Sequence, residues 1–182
     1  MMTPGLRKFA LTAHVTTSVG WLGAVAAFLV LAAAGLASTD PQLVRAAYLM
    51  LDLLGWFLIV PLSLASLLTG LVQGVGTRWG LLQHYWVLIK LLMTALATLV
   101  LLLHMDPISS LSRLARQTSF APLDFHALRV QVAVDAGAAL LVLLVATVMS
   151  VFKPRGLTRY GRRRQGREGA LSDATPGPSK LA

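Results

Sequence analysis

From Phe9 onward the chain alternates long apolar runs with short polar stretches. Four runs, at roughly 9–37, 48–72, 85–105 and 128–152, are almost free of charge. A helix that crosses a bilayer needs ~20 mostly apolar residues, and each run supplies them. Within lipid every backbone polar group must be satisfied internally, so only helices and closed barrels can span it. The runs are continuous rather than alternating, which rules out barrel strands. The pattern predicts an all-α integral membrane four-helix bundle over 9–152. A short N-terminal stretch, 1–8, precedes it, and a tail, 153–182, follows it.

The few polar residues inside the runs fall on stripes. Positions three and four apart share a helix face. In the third run Lys90, Thr94, Ala97, Leu101 and His104 keep that spacing, and in the second Asp52, Trp56, Ile59, Ser63, Ser66, Gly70 and Gln73 do. His14, Thr17, Ser18 and Trp21 share a face of the first run, and Gln131, Asp135 and Ala138 share one of the fourth. A helix surrounded by lipid would not sort its polar groups in this way, so the stripes are expected to face the bundle interior. The pairs Gly20/Ala24 and Gly23/Ala27 in the first run let helix backbones approach closely. Such pairs are common in Ala- and Gly-rich chains and imply packing, not chemistry. Trp79, Tyr85 and Trp86 suit an interfacial belt at the start of the third helix.

Charge sets the expected orientation. The chain carries a net charge of +9, and seven basic residues (Lys153, Arg155, Arg159, Arg162, Arg163, Arg164 and Arg167) crowd behind the fourth run. The positive-inside rule places this tail in the cytoplasm, where it meets anionic lipid. Four spans then bring the N-terminus to the same side, in keeping with Arg7 and Lys8. The loop 73–84 is expected inside, and 38–47 and 106–127 outside. Nucleic acid is not an expected partner, since the basic charge adjoins a membrane and lacks a folded reader. The end of the tail, GALSDATPGPSKLA, has the composition of a disordered segment. The first run is much longer than the ~7–15 apolar residues of a signal peptide, so it is expected to stay as a transmembrane helix. The chain has no cysteine, which excludes disulfides and thiolate metal sites.

The ionisable residues sort by depth. Lys90 and His14 lie a few residues inside the expected cytoplasmic ends of their helices. His104 is fourteen residues beyond Lys90, or ~21 Å at 1.5 Å per residue, and so belongs to the outer rim. Asp52, Asp135, Arg45 and Arg129 belong to the same half. Asp52, His104, Asp135 and Arg129 are expected to form an outer polar cluster of mixed charge. The inner half holds His14, Lys90, His84 and Arg78 and has no carboxylate within its spans. Three outcomes are open for Lys90: it snorkels to lipid phosphates, it is neutral, or it meets an anion that the chain does not encode.

Two stretches carry a resemblance. His14 with Val19-Gly20-Trp21-Leu22-Gly23-Ala24, and His84-Tyr85-Trp86-Val87-Leu88-Ile89-Lys90-Leu91-Leu92, look like a bacterial family of four-helix integral membrane proteins with no assigned function. The likeness runs from Leu6 to about Met105. A more distant resemblance is to the membrane protoporphyrinogen oxidases (HemJ-type) and to the copper resistance D membrane family. The HemJ-type proteins have a histidine early in the first helix, before a Trp/Gly segment, and a Trp-x-x-x-Lys element, which Trp86–Lys90 matches. That resemblance implies His14 and Lys90 as cofactor-binding residues, with haem in the bundle and His14 as a ligand of its iron. It also implies a multi-pass protein of the bacterial inner (cell) membrane.

Three functions compete on the sequence alone. One is binding of haem or a porphyrin-like anionic ligand between the first and third helices. The second is passage of a small solute, metal or proton, for which polar groups at both depths would serve. The third is a non-catalytic membrane scaffold.

Overall fold

The computed structural model describes residues 2–76, 85–116 and 125–152. They are helical almost throughout. Helix α1 spans Pro4–Ala37, α2 Pro41–Leu54, α3 Val60–Gly76, α4 Tyr85–Ala115 and α5 His126–Phe152. A π-helical turn, Gly55–Ile59, joins α2 to α3 without a break. Among the described residues, four helices are long and apolar enough to cross a membrane: Pro4–Ala37, Pro41–Gly76, Tyr85–Ala115 and His126–Phe152. The expected tail, 153–182, lies outside the described residues.

The helices outrun the apolar runs that predict them. The expected outer stretch 38–47 is helical from Pro41. Asp40 caps it by accepting the Gln42 N–H at 2.9 Å, and Pro41 at the first helical position gives up no hydrogen bond. The same device starts α1, where Thr3 precedes Pro4 and accepts from Leu6 N–H. The expected outer loop after Met105 continues as helix through Pro107 to Ala115. That extension buries Ile108, Leu111, Ser112 and Ala115, at the three-and-four spacing of an amphipathic helix.

The bundle runs up and down. Helix α1 packs along α2, α3 and α5, while α4 packs along the same three from the opposite corner. Contacts across each interface pair residues in reverse order along the two chains. Lys90 meets Ser150 and His104 meets Asp135 between α4 and α5. Ala10 meets Gln73 and Ser18 meets Ser66 between α1 and α3. One end of the bundle therefore gathers His14, Gln73, Lys90 and Ser150, and the other gathers Gly35, Asp52, His104 and Arg129.

Between the ends lies a layer of Trp21, Val25, Phe28, Ile59, Val60 and Leu143, all buried. Large apolar side chains are also turned outward along every helix, including Phe9, Phe57, Leu92, Leu103 and Phe152.

The expected single stripe from Asp52 to Gln73 is broken by the π turn. Pro61 has no N–H for the Phe57 carbonyl, and its ring would crowd that carbonyl in a regular helix. The backbone relieves the conflict just upstream, where Val60 N–H bonds to Gly55 O instead of the carbonyl four residues back. The wider turn shifts the phase of everything after it. Before the turn Asp52 faces α4; after it Ser66 and Gln73 face α1. A Cβ at Gly55 would lie 2.7 Å from Met105 Cε, so the flexible end of that methionine would have to move aside.

Candidate functional site

The His14 end is built mostly from α1, α3, α4 and α5. His14 sits against α3, with Nδ1 3.1 Å from Ser66 O and 3.1 Å from Thr69 Oγ1. A carbonyl oxygen only accepts, so Nδ1 carries the proton and donates to Ser66 O. In its neutral form the ring then keeps the Nε2 lone pair free for a ligand. Gly70 makes this seat possible, since a Cβ there would stand 3.0 Å from His14 Cε1. Beside it Ser18 Oγ and Ser66 Oγ share a 2.7 Å hydrogen bond, and Gln73 Nε2 donates to Ala10 O at 2.9 Å. Together they clamp α1 to α3 with polar contacts.

Lys90 reaches across to α5. Its Nζ donates to Ser150 Oγ at 2.8 Å, and Ser150 in turn donates to Ala146 O. One helix turn on, the Thr94 hydroxyl bonds back to Lys90 O and Leu91 O, within its own helix. The Lys90 side chain is half-buried. An ammonium has three N–H donors. Ser150 takes one. Among the described residues every carboxylate side chain (Asp40, Asp52, Asp106 and Asp135) lies at the opposite end of the bundle. His84, the other histidine expected near this level, lies outside the described residues.

The Arg129 end is three separate arrangements. Asp52 accepts the Ser109 hydroxyl at 2.7 Å, and Ser109 accepts Trp56 Nε1–H at 3.1 Å, which ties the π turn to α4. His104 Nε2 lies 3.3 Å from Asp135 Oδ2. Arg129, only 3% exposed, donates to Gly35 O, to Leu36 O and to Tyr48 Oη. Its guanidinium also lies over the Tyr48 ring, 5.9 Å from the centroid. Arg129 thus caps α1: it takes last-turn carbonyls that have no partner within their own helix, at the negative end of the helix dipole. The structure brings His104 and Asp135 together and leaves Asp52 and Arg129 with partners of their own. Ser109, Ser150 and Thr69 are the members that sequence reasoning missed; Gly70 was on the predicted stripe.

The mid-depth hydroxyls do not join the two ends. Ser63 and Thr98 are buried, but Ser63 donates to Val60 O and Thr98 to Thr94 O, each within its own helix. Among the described residues, no group of three or more His, Cys, Asp or Glu side chains is placed to hold a metal ion. Comparison with protein-family profiles, with curated proteins and with solved structures finds no match to this chain.

Proposed function

We propose that this is a multi-pass integral membrane protein that binds an anionic ligand at the level of His14 and Lys90. The observation that carries this reading is the charge distribution. Lys90 and His14 belong to the same end of the bundle, and every described carboxylate is at the other. A half-buried ammonium with no carboxylate beside it among the described residues is costly within a membrane, which favours an added anion. The outward-facing Phe9, Phe57, Leu92, Leu103 and Phe152 suit lipid contact and would be an aggregation hazard in water. The basic tail favours both termini in the cytoplasm of a bacterial inner membrane.

The donor set fits a haem or another carboxylated porphyrin, the ligand that the resemblance implies. Histidine ligands are held by donating the second ring nitrogen to a carbonyl, as His14 does to Ser66. Lys90 suits a propionate, and bundle cofactors lie between facing helices. Passage of a solute between the ends has weaker support, because Ser63 and Thr98 are satisfied within their own helices.

The test is titration of detergent-purified protein with haem, followed by visible absorption. Lys90→Ala and His14→Ala are expected to abolish retention while the helical content is unchanged. Lys90→Arg is expected to keep part of it, since a guanidinium cannot reproduce the compact ammonium beside Ser150. Equal haem retention by wild type, Lys90→Ala and His14→Ala would leave the site without a role.

A further inference from the structure

At the inner ends of α4 and α5, Lys90 is fixed but not saturated. Ser150 gives its own proton to Ala146 O, so its Oγ meets the Lys90 ammonium as an acceptor, at 2.8 Å. Among the described residues Ser150 is the one group that accepts from Lys90 Nζ, and an ammonium has further N–H donors to place. A lysine that only stretches toward the interface keeps its rotamer freedom. Lys90 is held across a helix interface instead, so the entropy of ordering it is already lost on folding and a ligand need not supply it. The ammonium also lies near headgroup depth. Lys90 is ~7.5 Å along α4 from Tyr85, and its side chain leans back toward the start of that helix. Ser150 is ~3 Å along α5 from Phe152, where the apolar run gives way to Lys153. The wall beside this tip is apolar and uncovered. No residue of α4 from Tyr85 to Ala97 is buried, whereas the outer half of the same helix buries Met105, Ile108 and Leu111. Leu88, Ile89 and Leu92 are exposed along the uncovered stretch. A cation at headgroup depth beside open hydrocarbon is complementary to an anionic amphiphile, not to a hydrophilic anion.

We propose that an anionic phospholipid of the cytoplasmic leaflet binds in the groove between the inner ends of α4 and α5, with a phosphate oxygen on Lys90 Nζ and its acyl chains along the uncovered half of α4. This rests on the reading that Lys90 takes an added anion, and it names the bilayer as the source of one. The charge on the ligand is selected by Lys90, because a zwitterionic lipid brings its own cation to the same phosphate. The length of the ligand is selected by the apolar wall, which a free phosphate ion leaves bare.

The test uses the full chain in detergent micelles doped with phosphatidylglycerol or phosphatidylcholine, and native mass spectrometry counts the lipid that stays bound. In wild type, a reading that no variant's folding affects, a phosphatidylglycerol molecule should be retained at about fivefold higher occupancy than phosphatidylcholine. Lys90→Gln should lower that occupancy about fivefold, and Lys90→Arg should restore it, because a guanidinium binds phosphate at least as well as an ammonium does. Millimolar inorganic phosphate should not displace the lipid. Equal retention of the two lipids, retention undiminished in Lys90→Gln, or displacement by inorganic phosphate would each overturn the proposal. Haem titration of the same samples keeps the two readings apart. Selective lipid retention without haem binding would refute the haem reading, and haem binding without selective lipid retention would refute this one.

Discussion

Replacing Arg129 with methionine tests whether the cap on α1 stabilises the bundle. Methionine keeps an unbranched apolar stem and removes the guanidinium. Gly35 O and Leu36 O then lose a donor in a buried setting, at ~1–3 kcal/mol each. The favourable placement of a cation at a helix C-terminus, ~0.3–1 kcal/mol and more when partly buried, goes as well. Against this, the variant no longer has to desolvate a charge, which offsets part of the loss. The balance is a net loss of ~2–4 kcal/mol. Tyr48→Phe removes only a 3.4 Å contact and keeps the ring beneath the guanidinium, so it should cost under ~1 kcal/mol. Arg129→Lys keeps the charge without the fork that reaches both carbonyls and should fall between the two. Reversible unfolding in mixed SDS and detergent micelles, followed by far-ultraviolet circular dichroism, measures the series. Wild type should be most stable, then Tyr48→Phe, Arg129→Lys and Arg129→Met. Stability of Arg129→Met within ~0.5 kcal/mol of wild type would refute the capping argument, since surface-like substitutions fall in that range.

Gly70→Val should displace the His14 ring and lower haem retention, with a stability loss of ~1–3 kcal/mol from overpacking; haem titration and micellar unfolding read the two effects separately. Gly35→Ala should cost a similar amount, because its Cβ would stand 3.2 Å from both Ala47 Cβ and the Tyr48 ring. Orientation can be read by single cysteines in this cysteine-free chain. Ser110→Cys should react with an impermeant maleimide in intact cells and Ser172→Cys only after lysis; the reverse would overturn the assigned sidedness.

The apolar runs made the helices legible, because a lipid-length hydrocarbon stretch has few other solutions. Their ends were less legible for a physical reason. Asp40 with Pro41 is a start signal outside the hydrophobic run, and Ile108 to Ala115 is an amphipathic extension beyond it. Hydropathy alone ends the segment at either place. Spacing correctly separated Lys90 from His104 by depth, since rise per residue is fixed. It did not reveal Ser150, Ser109 or the role of Arg129. A partner or cap supplied by another helix leaves no mark at any local period. The stripe from Asp52 to Gln73 does mark interior positions, with Ile59, Ser63 and Ser66 buried, but spacing assumes constant pitch and gave no sign that the π turn before Pro61 divides it between α4 and α1.

That change of pitch gives the second span an independence its continuity conceals. A π turn is one residue inserted into an α-helix. Deleting a residue from 55–59 would shift the register of everything after it and rotate α3 by ~100° against α2. The His14 seat would then face elsewhere while Asp52 kept its place beside Ser109. Substitution, insertion and deletion are therefore not equivalent along this span. Side-chain changes act locally, but a length change at the turn acts as a dial between the two ends. A shift of one residue there would re-aim an entire half-helix in a single step.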